Sequence, residues 1–189
     1  MIRNAIKSDA PMITSLLWEI FEDMELPLLH KISKNKLQEM VAEAVLEPAY
    51  RYSLDRGMVY EIDGEVAGIA FGYPSVDESS IDEPFKTILG KHGYDPTEEL
   101  FTDRESLSNE WYIDSIVVKK DYRGLGIGSH LLENLNYRAL EDGYHTIGLN
   151  VDIDNTQAKK LYSKIGFKKI TDIMISGHQY DHMCKTLSN

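Results

Sequence analysis

A glycine-rich segment in the second half of the chain restricts the possible folds most strongly. Residues 123–128 read Arg-Gly-Leu-Gly-Ile-Gly, after an apolar stretch at Trp111–Val118 and before a segment with helical leucine spacing. This pattern predicts a strand, a tight turn and a helix. Glycines let consecutive N–H groups point into one concavity, and the following helix adds unpaired N–H groups and the positive end of its dipole. The turn is therefore a candidate anion site, where Arg123 would supply charge and Ser129 a hydroxyl.

Two other phosphate-binding motifs do not fit this turn. The dinucleotide fingerprint requires Gly-x-Gly-x-x-Gly, but the third glycine position is occupied by Ser129 or Leu131, depending on the starting glycine. The ATP-type P-loop requires Gly-Lys-Ser/Thr, which is absent. A protein that uses the turn to bind ATP or NAD is therefore a weaker alternative.

The first half of the chain predicts alternating strands and helices. Met1–Ala5 fits a short strand, and helical apolar spacing covers Ile13–Phe21 and Ser33–Leu46. Asp63-Gly64 between two apolar runs predicts a hairpin. The acidic, turn-rich segment Pro74–Glu110 is either a lid on the substrate side or a solvated loop.

The second half continues the α/β pattern after the glycine turn. A helix should end near Gly143, and the alternation at Thr146–Ile153 predicts a strand. Another helix should run from Asn155 to Ile165, followed by strands at Phe167–Ile173 and Tyr180–Thr186. These elements together predict a mixed α/β sheet.

Composition argues against several partners. The chain carries 31 acidic and 20 basic residues, a formal net charge of -11, and only short basic pairs such as Lys119-Lys120. Nucleic-acid binders usually show the opposite balance. Cys184 is the only cysteine, the N-terminus lacks the apolar run of a signal peptide, and no apolar stretch approaches the about 20 residues of a membrane helix. We expect a cytoplasmic protein without nucleic-acid or membrane partners.

A second motif follows the strand at Thr146–Ile153. It reads Asn-x-x-Ala-x-x-Leu-Tyr-x-x-x-Gly-Phe over residues 155–167. Together with Arg-x-x-Gly-x-Gly at residues 123–128, it resembles the GNAT superfamily of acyl-CoA-dependent N-acyltransferases. The resemblance is strong over Trp111–Leu187 and rests on general layout in the N-terminal half.

The resemblance implies both a fold and a domain organisation. The fold is α/β, with a single mixed, mostly antiparallel central sheet flanked by helices and with splayed central strands. One N-acetyltransferase domain would cover residues 1–189, with an acidic insertion or lid at about 74–110 and an acetyl-CoA-binding core at 111–187.

Acetyl-CoA is the co-substrate that the resemblance implies. Its pantetheine arm would enter the gap between the two splayed strands, and its pyrophosphate would lie on the glycine turn. The residues implied in binding are Ile116, Val117, Val118, Arg123, Gly124, Leu125, Gly126, Ile127, Gly128, Ser129, Asn155, Ala158 and Tyr162.

The implied chemistry is direct attack of an amine on the thioester. Tyr162 would protonate the departing thiolate, since a phenol and a thiol have similar pKa values. A base should deprotonate the incoming ammonium, and Glu110 and Asp114 remain alternatives for this role. Asn150 stands where some family members carry a glutamate, and its amide cannot act as a base.

The amine acceptor is open between a small molecule and a peptide, and the acidic segment favours a cationic one. A non-catalytic acyl-CoA-binding module is the alternative function, and a homodimer is an open alternative for the assembly. His178 and His182 have the spacing of zinc ligands on a helix, but the pattern predicts strand there, so no metal is expected. Cys184 is interpreted as a packing residue.

Overall fold

A computed structural model describes residues 1–22, 24 and 26–188. The strands are β1 Ile2–Asn4, β2 Gly57–Ile62, β3 Glu65–Pro74, β4 Trp111–Val118, β5 Thr146–Asp152, β6 Lys168–Ile175 and β7 His178–Thr186. The helices are α1 Ala10–Phe21, α2 Lys34–Ala44, α3 Glu83–Lys91, α4 Ile127–Glu141 and α5 Thr156–Lys164. Within the described residues the strands form one seven-stranded sheet in the order β1-β2-β3-β4-β5-β7-β6.

The sheet is mixed and mostly antiparallel, as the resemblance implied. Neighbouring strands run antiparallel except β4 and β5, which run parallel. The β2–β3 hairpin turns at Asp63-Gly64, where both residues have positive φ angles of 50° and 82°. That geometry is the two-residue turn which Asp-Gly favours. The predicted α/β class is confirmed.

Helices cover both faces of this sheet. On one face, α1 and α2 bury Ile13, Leu17 and Val41 in a core that also includes Val117 of β4. On the other face, α4 packs its leucines against Ile147 of β5. Opposite faces of β4 and β5 therefore meet different helices, because side chains alternate along a strand.

The two parallel strands separate soon after they meet. In the described part of the chain, β4 and β5 pair at Trp111 with Ile147 and at Tyr112 with Gly148, and the remainder of each strand diverges from the other. A register shift between β3 and β4 also leaves Asp114 without a partner in β3. Such a bulge bends a strand and redirects its side chains. The expected splay of the central strands is thereby confirmed.

The segment between β3 and β4 contains a helix that the sequence pattern did not predict. Helix α3 carries Pro84 in its first turn, and its Phe85 and Ile88 join the core beneath α2. Nine residues give too few turns for a clear apolar period. After α3, Phe101 is buried in the same core, and the backbone N–H of Ser176 donates to Asp103 at 2.7 Å. This stretch therefore crosses the sheet face that carries α1 and α2. Among the described helices, none combines the length and apolarity that a membrane crossing requires.

Candidate active site

A cleft of about 350 Å³ opens between the diverging half of β4, the start of α4 and helix α5. It lies on the α4 side of the sheet, along the part of β4 beyond its last pair with β5. Its walls come from Ile116, Val118, Tyr122, Arg123, Gly124, Gly126, Ile127, Gly128, Ser129, Leu132, Leu161 and Tyr162. Most residues that the sequence motifs nominated for cofactor binding therefore surround one cavity.

The glycine turn at the mouth of the cleft requires glycine for conformational reasons. Gly124 and Gly126 have φ angles of +82° and +77°, and a Cβ at either position would meet no atom within 4 Å. Left-handed backbone, rather than crowding, therefore demands glycine here. Gly126 is the N-cap of α4, and the first N–H groups of a helix have no partner within it. The turn thus presents N–H donors and the helix dipole to an anion.

Arg123 lies at the rim of the cleft. Its Nε donates to the backbone carbonyl of Val118 at 3.0 Å, and its Nη2 lies 3.0 Å from a carboxylate oxygen of Glu19. The side chain is more than half exposed, so water screens this ion pair. A phosphate group entering the cleft can replace Glu19 as the partner of the guanidinium.

Tyr162 reaches the cleft from α5. Its ring packs against Phe167 edge to face, with ring centroids 5.7 Å apart, and burial raises the pKa of its hydroxyl. Asn155 caps the same helix, because its Oδ1 accepts the N–H of Ala158 at 3.0 Å. The cap fixes the direction in which α5 leaves the sheet, and with it the position of Tyr162.

Four of the residues nominated for cofactor binding do not line the cleft. The Val117 side chain packs on the opposite face, and Leu125 is 63% exposed on the turn. Asn155 caps α5 with its side chain, and Ala158, in the first turn of α5, packs against the core on the α4 side of the sheet. The signal that places Val117 correctly is the strand alternation between Ile116 and Val118.

Asp114 and Glu110, the two nominated bases, lie outside the cleft and in separate environments. The Asp114 carboxylate accepts Nη1 of Arg51 at 2.9 Å and the hydroxyl of Tyr73 at 3.1 Å. Glu110 is 2% exposed and accepts the N–H of Leu107 at 2.8 Å. Both carboxylates are therefore held by fixed donors.

Glu110 also meets two side chains of β7. Its Oε2 lies 3.0 Å from Nε2 of His182 and 3.3 Å from the sulfur of Cys184. Burial, together with the nearby Glu110 carboxylate, raises the pKa of the Cys184 thiol to about 12, which makes it a poor nucleophile. Ligand atoms of these residues lie within 4.8 Å of one another and could hold a metal ion. The contacts of Glu110 with His182 and Cys184 also hold these three side chains together.

A buried polar network for which the sequence carries no local signal lies beside Asp114. Arg51 is 2% exposed and is bonded to Asp82, Glu105 and Asp114 at 2.9–3.1 Å. Its guanidinium also stands 4.3 Å from the ring centroid of Phe101. Arginine and acids scattered over more than 60 positions give no local pattern, so only the fold reveals them. The arginine ties α3, the crossing segment and the β4 bulge together.

A diverging pair of parallel strands beside a glycine-rich turn is the arrangement that the resemblance to N-acyltransferases implied. The chain belongs to the acetyltransferase (GNAT) family, whose sequence model matches residues 11–167. The resemblance drawn from the two motifs is thus confirmed.

Individual relatives agree with this family. A crystal structure of an acetyltransferase has a TM-score of 0.91 and 48% identity, with 100% of both chains covered. An N-acetyltransferase from Staphylococcus aureus Mu50 has a TM-score of 0.84 and 28% identity, covering 97% of this chain and 99% of that one. An N-alpha-acetyltransferase from Sulfurisphaera tokodaii is 31% identical over 114 residues, 59% of this chain and 56% of that protein. The chain spans about half or less of the length of the curated relatives it matches.

Proposed function

We propose that the protein is an N-acetyltransferase that moves an acetyl group from acetyl-CoA to a primary amine of a small molecule or peptide. The observation that carries this proposal is the cleft itself. It brings the glycine turn, the unpaired edge of β4 and the hydroxyl-bearing Tyr162 to one cavity. Direct transfer within a complex of both substrates requires these three elements and no covalent intermediate.

The chain offers a separate binding element to each part of acetyl-CoA. The pyrophosphate suits the N–H groups of residues 124–129 and the charge of Arg123. The pantetheine amides suit the edge of β4 beyond Tyr112, where β5 no longer supplies hydrogen-bond partners. Ile116 and Val118 give this edge an apolar wall.

Tyr162 is proposed as the general acid. As the C–S bond breaks, the tyrosine hydroxyl would give its proton to the departing thiolate and recover one from the amine nitrogen. Burial raises the pKa of the Tyr162 hydroxyl, so its proton is transferred to the thiolate only if a proton from the amine nitrogen replaces it in the same step.

The acidic surroundings of the network support a cationic acceptor. Asp82, Glu105 and Asp114 all form ion pairs with Arg51. An ammonium group near the network would add positive charge to a cluster in which the carboxylates outnumber the guanidinium. Glu110 and Asp114 stay proposals for the base, although neither lines the cleft.

Release of free coenzyme A thiol tests the function. The protein is mixed with acetyl-CoA and a panel of polyamines, aminoglycosides, amino acids and peptides with free N-termini. We expect amine-dependent release that falls sharply in Tyr162→Phe and stays at the wild-type level in Tyr137→Phe, an exposed tyrosine of α4. Binding of acetyl-CoA with no release for any amine would favour the non-catalytic binding module instead.

A further inference from the structure

A hydrogen-bonded chain of side chains bridges β4 and β5 at the point where they separate. Nδ2 of Asn150 donates to the hydroxyl oxygen of Tyr112 at 3.0 Å, and that hydroxyl donates to Oε2 of Glu105 at 2.9 Å. Tyr112 belongs to the last residue pair that joins β4 to β5, and Asn150 lies two residues further along β5. The bridge therefore closes the base of the gap that the pantetheine arm would enter.

The direction of each hydrogen bond in this chain is fixed by its neighbours. The Asn150 amide also donates to the backbone carbonyl of Glu105 at 2.9 Å, while its Oδ1 lies 2.6 Å from Nδ1 of His182. The amide nitrogen must therefore face Tyr112. Because the Tyr112 oxygen accepts from Asn150, its own proton points to Glu105. The second lone pair of the Tyr112 oxygen accepts no hydrogen bond from the described residues.

Glu105 has the surroundings of a base that works near neutral pH. It is 7% exposed, and burial raises the pKa of its carboxyl to about 7, against the opposing charge of Arg51. General bases are most effective when their pKa lies near the working pH. The charged and titratable groups around it are Arg51, Tyr52, Tyr73, Glu78, Tyr112, Asp114 and Tyr180.

The other two carboxylates are less suited to this task. Asp114 accepts Arg51, Tyr73 and its neighbour Ser115, so hydrogen bonds hold it on several sides. Glu110 lies behind His182, which faces Asn150 with its other ring nitrogen. Glu105 also accepts Arg51, at 3.1 Å, but its other carboxylate oxygen accepts the hydroxyl of Tyr112, which belongs to the last residue pair that joins β4 to β5.

We propose that Glu105 is the terminal proton acceptor of the acetyl transfer and that Tyr112 passes the proton to it. This inference rests on the proposed function. The acceptor ammonium gives one proton to the Tyr112 oxygen while the Tyr112 hydroxyl proton moves to Glu105. The freed nitrogen lone pair forms the N–C bond to the thioester carbonyl, and the C–S bond breaks. The second amine proton replaces the one that Tyr162 gives to the thiolate, and Glu105 later releases its proton to water.

The pH dependence of kcat/KM tests the assignment with the full chain and an amine that supports release. For the wild type we expect activity to rise through an apparent pKa of about 7, below the ionisation of the amine itself. Glu105→Gln should remove this rise and lower kcat/KM by about 10²-fold, the usual contribution of a general base. Tyr112→Phe should do the same, and the double variant should lose little more, because the two groups act as a unit.

Tyr73→Phe is the matched control, because the hydroxyl of Tyr73 donates to Asp114 and not to Glu105. It should keep the rise near pH 7, and each variant should bind acetyl-CoA with the wild-type Kd. A rise that persists unchanged in Glu105→Gln overturns the base assignment and leaves the proposed function standing. Loss of acetyl-CoA binding together with activity in Glu105→Gln also overturns it, in favour of a structural role. Wild-type protein that releases no thiol at any pH overturns both.

Discussion

The carboxylate of Glu110 occupies the space that a side chain at Gly148 would fill. A Cβ built on Gly148 would lie 2.3 Å from Oε2 and 2.5 Å from Cδ of Glu110. The φ angle of Gly148 is not positive, so backbone conformation does not require glycine here. The close approach of the buried Glu110 carboxylate does. This contact lets Glu110 reach His182 across β5.

Gly148→Ala should therefore destabilise the protein. Forcing extra volume into a packed core costs about 1–3 kcal/mol, and the atoms displaced here are also hydrogen-bonded. We expect the free energy of unfolding in urea to fall by at least that range. Gly90→Ala is the matched control, since its Cβ would meet only Pro96 at 3.6 Å in a helix and should be neutral or stabilising. Adding Glu110→Ala to Gly148→Ala should recover part of the loss, and no recovery would show that the clash lies elsewhere.

Tyr162→Phe should separate catalysis from binding. A general acid contributes about 10²–10⁴-fold to rate, so kcat should fall by at least the lower figure. The phenyl ring retains the contact with Phe167, and the Kd for acetyl-CoA, measured by calorimetry, should stay unchanged. A kcat within twofold of the wild type would remove Tyr162 from the mechanism.

Gly126→Ala should weaken cofactor binding through the backbone. A left-handed residue with a side chain costs about 1–2 kcal/mol, and the turn can relieve this strain only by redirecting its N–H groups. We expect the Kd for acetyl-CoA to rise about tenfold, which corresponds to 1.4 kcal/mol. Gly64→Ala has the same strain at φ +82° in the β2–β3 hairpin and should lose stability with an unchanged Kd. Equal effects of the two variants on the Kd would contradict a specific role for the turn.

Arg51→Met should destabilise the protein strongly and in a pH-dependent manner. Removing one partner of a buried charge network costs about 3–5 kcal/mol. Burial already raises the pKa values of Asp82 and Glu105, and both values should rise further without the arginine. Groups with raised pKa values favour the folded state at low pH and lose that effect as pH rises through the folded pKa.

The loss caused by Arg51→Met should accordingly be larger at pH 8 than at pH 5 in urea unfolding. Arg104→Met, at a side chain that is 64% exposed, should stay within about 0.5 kcal/mol at both values. Equal losses for Arg51→Met at the two pH values would argue that packing against Phe101, and not charge, is what the arginine supplies.

Much of the cleft beside the glycine turn could be predicted from sequence because its determinants are local. A positive φ at Gly126, a helix start at Ile127 and a cap at Asn155 each depend on residues within a few positions. The spacing from Asn155 to Tyr162 places the tyrosine two turns further along the same helix. Such short-range determinants can be recognised in the sequence without knowledge of the fold.

The buried polar network around Arg51 and Glu105 could not be predicted in the same way. Glu105 meets Arg51 across 54 positions and Asn150 across 45. Helix α3 was missed because its stability comes from packing on α2, which a nine-residue pattern does not record. The sequence favoured Glu110 and Asp114 equally as the base. No local pattern distinguishes a carboxylate that meets Arg51 from one that meets His182.

The sequence by itself thus determined the family, the order of strands and helices in the second half, and the turn that suits a pyrophosphate. The tertiary structure alone decided which carboxylates are buried, which donors they meet and how Tyr112 bridges Glu105 and Asn150. The physical reason is that backbone conformation follows from neighbours in the chain. The protonation of a buried group follows from neighbours in space, which the folded sheet brings together.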